Sequence, residues 1–264
     1  MSAQAPPSPG DRPGALAAAA RRIATAAGLA RSLVIYRAAP GTRRRLTRFY
    51  RALLPPEALV FDVGAHVGHR TGALRAAGAR VVAIEPQPAC LAVLARVFRR
   101  DPAVTVVPAA LGAEAGEAVM RISRRHPTVS TLHADWIETV SADPGFGRVR
   151  WDAEARVPVE TLGSLIARHG EPAYIKIDVE GGEAAVLAGL DRPVGLISFE
   201  ALAAAPDAAA AALARIEALG AYRYNLVRGE ADAFAYSDWV EAGELRRRLA
   251  DERGHVDVFA KAAP

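Results

Sequence analysis

The residues best placed to do chemistry in this 264-residue chain are carboxylates that end short apolar runs. Asp62 closes one such run and leads into a loop with glycines at 64 and 68. Glu85 closes a second, Asp178 and Glu180 a third, and Glu200 a fourth. A strand end more often carries a turn residue such as Gly, Asn or Ser. Acids there can accept protons or hydroxyl hydrogen bonds, provided the fold brings the strand ends together. Lys176 lies in "YIKIDVEGGE", where residues 176, 178 and 180 alternate onto one strand face. Buried in a central strand, it needs an anionic partner. Asp62 or Glu200 from a neighbouring strand would serve, and Lys176 is expected to organise the carboxylates. His66 and His69 are three apart, whereas zinc-binding helices usually space histidines four apart and need a third ligand. No metal is expected there. A hard cation between Asp178 and Glu200 is a minority alternative. His126, His133, His169 and His255 show no supporting pattern and read as surface or loop residues.

The elements that must position these groups follow from patterning. Apolar runs at residues 58–63, 80–85, 103–107, 156–159, 173–179, 194–199, 222–227 and 255–260 read as strands, with an added one at 118–123. Helices are predicted at 68–77, 88–100, 161–168, 182–187, 207–219 and 237–249, with Gly78 as a stop and Pro88 as an opener. Strand–helix alternation with apolar strands predicts an α/β fold, a mostly parallel sheet with helices on both faces. Such sheets bind ligands beyond the C-terminal strand ends, where the carboxylates fall. Residues 124–150 read as a long irregular stretch, a functional binding segment or a packed excursion in equal measure. Ser130, Thr131, His133, Trp136 and Trp151 are its candidate substrate-binding residues, a tryptophan being suited to stack on a sugar or other ring.

Composition narrows the class. The chain is 51% hydrophobic and 23% charged, as in globular domains. Cys90 is the only cysteine, which excludes an intrachain disulfide and a cysteine-based zinc site. No apolar run approaches the roughly 18 residues of a membrane helix, so a cytoplasmic location is expected. Residues 1–51 hold ten arginines and one acid, a net +9, which leaves −5 for the rest of a chain whose total is +4. Three regions are expected: a disordered tail at 1–13, a basic helical extension at 14–54, and the main domain at 55–264. "GTRRRLTRFYR" reads as an amphipathic helix packed through Leu46, Phe49, Tyr50 and Leu53, ahead of a nucleic-acid or anionic-membrane contact.

The opening loop is neither of two common phosphate cradles. His66 and His69 occupy two glycine positions of the dinucleotide fingerprint G-x-G-x-x-G, and no Walker string occurs. What remains is D-x-G-x-x-x-G with an acid closing the next strand. Gly64 can take positive φ and let backbone approach a ligand. Glu85 can accept both hydroxyls of a ribose. The pattern suits an adenosine ligand without a pyrophosphate, such as S-adenosylmethionine.

Five stretches, in order, now carry a resemblance: "VFDVGAHVGHRT", "VVAIEPQPACLAVL", "VTVVPAALG", "VPVETL" and "IKIDVEGGEAAVLAGL". The chain resembles the FkbM family of S-adenosylmethionine-dependent methyltransferases over residues 58 to about 200. The family usually has Asn at the place of His66 and Asp at that of Gly163; the second difference removes either a helix cap or a charge near the site. The resemblance implies a Rossmann-like class I methyltransferase fold with seven strands, the last antiparallel. It further implies that Asp62, Gly64, Ala65, His66 and Gly68 shape the methionine end of the cofactor site and that Thr71 hydrogen-bonds the amino-acid portion. Glu85 and Pro86 would hold the ribose, and Ala110 and Leu111 would flank the adenine. Asp178, Glu180, Glu200 and Lys176, with His66, are the candidate catalytic groups for methylating a hydroxyl of a sugar, glycan or secondary metabolite. An RNA methyltransferase using the basic arm is the alternative, and an NAD(P)-dependent oxidoreductase trails it.

Overall fold

The computed structural model describes residues 23–33 and 41–263. The expected tail at 1–13 and much of the N-terminal extension lie outside the described residues. Residues 23–33 are helical. Helix α1 (Thr42–Leu53) follows, with Leu46 and Tyr50 buried and Phe49 and Leu53 packed beside them. Phe49 meets Phe234 and Phe259 edge-on at 5.3 and 5.8 Å, so the basic helix is docked on the domain.

The main sheet has seven strands: β1 (Leu59–Val63), β2 (Arg80–Ile84), β3 (Val104–Val107), β7 (Tyr174–Ile177), β8 (Leu196–Leu202), β9 (Tyr222–Arg228) and β10 (His255–Ala262). Their order is β3-β2-β1-β7-β8-β10-β9. The pairings from β3 across to β8 are parallel, and β10 is antiparallel to both its neighbours. Seven strands with an antiparallel last one match the expectation. A second sheet, absent from the sequence reading, joins β4 (Ala110–Leu111), β5 (Gly116–Ile122) and β6 (Ala153–Glu160). The stretch at 124–150 is not irregular throughout. It holds helix α4 (Ala134–Ser141) and two short 3₁₀ turns.

Side chains alternate across the sheet. Phe61, Val63, Ile175, Ile177, Ile197 and Phe199 face one core. Helices α5 (Leu162–His169), α6 (Glu183–Ala188), α7 (Pro206–Leu219) and α8 (Ala242–Asp251) cover that core. Val60, Tyr174, Leu196 and Phe259 face a second core under α1, α2 (His69–Ala77) and α3 (Pro88–Phe98). Asp62, Lys176, Ser198, Glu200 and Asp257 have the parity of this second set, so the polar groups gather on one face. Strand order reverses between β1 and β7, the position where α/β sheets open a ligand crevice.

The difference at Gly163 costs no helix cap. Thr161 accepts from the Ser164 N–H at 3.1 Å, and the Ser164 hydroxyl accepts from Thr161 N–H at 3.3 Å. A reciprocal capping box thus opens α5.

Candidate active site

A cleft opens at the C-terminal ends of β1, β2, β7 and β8, and all the strand-end carboxylates picked out above line it. The β1–α2 turn shapes one wall. Gly64 has φ 80°, and its N–H and that of Ala65 both donate to the Ile84 carbonyl at 3.0 Å. A Cβ on Gly64 would lie 1.8 Å from the Asp178 carbonyl oxygen, so only glycine lets the β1 and β7 turns meet. His66 has φ 50°, a left-handed conformation in which Asn and His are both enriched. This explains how His replaces the usual Asn. Gly68 also has positive φ, but a Cβ there would meet Phe98 and Leu94. It serves α2–α3 packing and lies off the cleft lining.

Thr71 lies off the lining as well. It is fully buried, and its hydroxyl donates to Asp62 Oδ2 at 2.6 Å. Asp62 Oδ1 is buried without a hydrogen-bond partner. Burial holds the Asp62 carboxyl above its usual range, against the pull of Lys176. Glu85 accepts the Gln87 N–H at 2.7 Å and the His66 N–H at 2.8 Å, one on each oxygen. Its burial raises the carboxyl to about 7 in spite of both bonds. Desolvation lowers His66 and His69 to about 4, so both rings are neutral at pH 7.

The β7 turn supplies the other wall. Lys176 is 2% exposed and pairs with Asp178 at 2.7 Å. The partner is therefore the residue just past the end of its own strand, not one on a neighbouring strand as expected. Burial opposes the Lys176 charge, but Asp178, Asp62 and Asp257 outweigh it and push the ammonium up. Glu180 has φ 58°. Burial, then the Asp178 charge, raises both Glu180 and Glu200 well above the carboxylate range. Carboxylate oxygens of Asp178, Glu180 and Glu200 lie within 4.8 Å of one another. Arg70 from α2 reaches Glu230 at 3.2 Å and Asp257 at 3.6 Å over the same face.

The segment after β5 roofs the cleft. Ser130, Thr131 and His133 line it, as do Ala110 and Leu111 of β4, and Pro86. Trp136 does not. It is 5% exposed and packs with Val140 and Ala205, edge-on to Trp151 at 6.3 Å. Trp151 is likewise off the lining, its indole N–H given to the Val129 carbonyl at 2.8 Å. His255 is exposed, as its surface reading expected, and it also lines the cleft. Sequence reasoning missed Arg70, Gln87, Met120, Glu230 and Asp257 of the lining. Arg70 sits inside the quoted β1–α2 stretch, and Gln87 two residues after Glu85; Asp257 had no sequence signal.

Comparison with known proteins places this arrangement. The model of the methyltransferase FkbM domain matches residues 62–256, about three quarters of the chain. No curated protein is similar enough in sequence to count as a match. Among solved structures, a TehB-like SAM-dependent methyltransferase from Corynebacterium glutamicum shares 14% identity, with 83% of this chain and 88% of that one covered and a TM-score of 0.44. Aeropyrum pernix fibrillarin, crystallised with natively bound S-adenosyl-L-methionine, shares 12% identity over 80% and 72% of the two chains at a TM-score of 0.42. A precorrin-6y methyltransferase from Geobacter metallireducens shares 15% over 83% and 87% at 0.40. With the family model spanning both walls of the cleft, the chain belongs to the FkbM family of S-adenosylmethionine-dependent methyltransferases.

Proposed function

We propose that the protein methylates a hydroxyl oxygen of a sugar, glycan or secondary metabolite. The observation that carries this reading is the convergence of Asp178, Glu180 and Glu200 beside the glycine turn. An alcohol must lose its proton as it attacks, and a carboxylate whose pKa is raised toward neutrality is a suitable acceptor for it. Burial and the Asp178 charge raise Glu180 and Glu200, which makes each a stronger proton acceptor, while Asp178 is held low by Lys176 despite its burial.

The residues present fit the cofactor. Asp62 Oδ1 is a buried acceptor lacking a donor, and the Gly64 turn leaves backbone open to the cleft. Asp62, Gly64, Ala65 and His66 would hold the methionine end, Glu85 and Pro86 the ribose, and Ala110 and Leu111 the adenine. When bound, S-adenosylmethionine supplies an electrophilic methyl group on a sulfonium sulfur. Glu180 or Glu200 takes the acceptor proton. Lys176 keeps Asp178 ionised, and that negative charge keeps its two neighbours basic. Thr131 and His133 orient the acceptor from the roof, and holding reactants in line is itself worth up to about 7–11 kcal/mol in favourable cases.

The cleft charge argues against RNA as the acceptor. Both cations of its lining are already paired, Lys176 with Asp178 and Arg70 with Glu230 and Asp257, which leaves little positive charge among the described residues of the cleft for a polyanion to bind. The test incubates the protein with methyl-labelled S-adenosylmethionine and a panel of sugars, phenols, amines and RNA. Label on a hydroxyl oxygen, lost in Glu180→Gln or Glu200→Gln, supports the reading; label only on nitrogen or RNA overturns it.

A further inference from the structure

The Glu180 turn does not hold its shape alone. Glu180 has φ 58°, uncommon for any residue other than glycine, and Gly181 follows with φ 93°. Thr131, 1% exposed, donates its hydroxyl to the Glu180 carbonyl at 2.7 Å. The Thr131 hydroxyl oxygen in turn accepts the His133 N–H at 3.0 Å. Thr131 is itself fixed by two backbone bonds with Arg121 of β5, at 2.8 and 3.0 Å. The next two residues of the turn lie flat against the roof. A Cβ on Gly181 would come within 2.2 Å of the Trp136 ring, and one on Gly182 within 2.6 Å of His133 Nε2. Roof and turn therefore interlock at three consecutive turn residues, Glu180, Gly181 and Gly182, far from the roof in sequence.

We propose that Thr131 is a positioning residue that holds the Glu180 turn in its left-handed conformation and so aims the Glu180 carboxylate into the cleft. The proposal rests on the reading of Glu180 as a proton acceptor only for its functional meaning; the geometric clamp is testable alone. It assigns the segment after β5 a second role. Besides facing the acceptor, the segment sets the shape of the turn that carries a candidate base.

Hydrogen exchange followed by mass spectrometry tests the clamp. Thr131→Val removes the hydroxyl at nearly constant volume, and Thr131→Ser keeps it. In T131V, exchange in residues 178–183 rises about tenfold, the effect of one lost hydrogen bond, while residues 222–228 of β9 are unchanged. T131S restores the slow exchange. Unchanged exchange at 178–183, or an equal rise in β9, overturns the proposal. Should T131V not fold, T131A takes its place under the same outcomes. Calorimetry with S-adenosylhomocysteine on the wild-type protein keeps the two questions apart: failure to bind counts against the functional reading and leaves the clamp result standing.

Discussion

Replacing Glu85 by Gln tests the cofactor reading at its most exposed point. Glu85 is 4% exposed and takes one backbone N–H on each oxygen. Burial lifts its pKa from the ordinary 4.5 to about 7. The folded protein thus binds this proton more tightly than the unfolded chain. The cost of the ionised group is absent below pH 4.5, grows between 4.5 and 7, and is constant above. At 1.36 kcal/mol per unit, the 2.5-unit rise amounts to about 3 kcal/mol. In E85Q that pH dependence disappears, while the amide NH₂ leaves one backbone N–H without an acceptor, a loss of about 1–3 kcal/mol. E85Q is therefore the less stable protein at pH 5, and the gap closes by pH 8. Urea unfolding at both values measures the difference. Ligand binding moves the opposite way. Two ribose hydroxyls donate best to a carboxylate, so wild-type affinity for S-adenosylhomocysteine weakens about tenfold from pH 7.5 to pH 6 and further at pH 5. In E85Q the affinity is flat with pH and about 30- to 150-fold weaker at pH 8, corresponding to about 2–3 kcal/mol for a lost bond to a charged group. Equal affinities in the two proteins at pH 8, or a wild-type affinity unchanged between pH 5.5 and 8, would refute the assignment.

Three other outcomes follow from single contacts. Gly64→Ala places a methyl 1.8 Å from the Asp178 carbonyl at a positive φ, so the two turns must separate; calorimetry is expected to find no S-adenosylhomocysteine binding, and thermal unfolding a loss of at least about 2 kcal/mol. Thr71→Val leaves Asp62 with neither oxygen hydrogen-bonded, and urea titration should record a loss of about 1–3 kcal/mol. Lys176→Met strips the one-third-exposed Asp178 of its cation beside Glu180 and Glu200, which costs about 1–3 kcal/mol at pH 8 once solvent screening of Asp178 is allowed for. Because Lys176 depresses the Asp178 pKa below its ordinary 3.8, the pair's contribution is present at pH 8 and pH 5 alike and is lost only as the pH falls below 3.8, which unfolding curves at pH 8, 5 and 3 would reveal.

The site was legible where a strand, a turn and a helix follow one another in sequence. Asp62, Gly64, Glu85, Asp178 and Glu200 could be found because apolar runs mark the strand ends and the sheet brings those ends together. Contacts set by long-range register were not legible. Asp257 reaches the cleft only because β10 inserts between β8 and β9 and pairs Asp257 with Glu200. The Lys176 partner was misplaced because its long side chain reaches past the end of its own strand to Asp178, which alternation had put on the same face. Helix α4 is eight residues long without a side-chain cap, too short for a helical period to stand out. Trp136 looked like a binding platform because an aromatic ring in a long loop gives no sign of which way it turns. It turned inward instead, packing with Val140, Ala205 and Trp151 and lying against Gly181.

The placement of β10 also governs when the protein becomes competent during synthesis. Strands β8 and β9 do not touch; residues 255–262 bridge them. A nascent chain that has made everything before residue 255 leaves one edge of β8 unpaired and β9 without a strand partner, and it lacks Asp257, one of the two carboxylates that face Arg70. The crevice consequently completes in one late step, and a chain stopped short of β10 is exposed to edge-to-edge association.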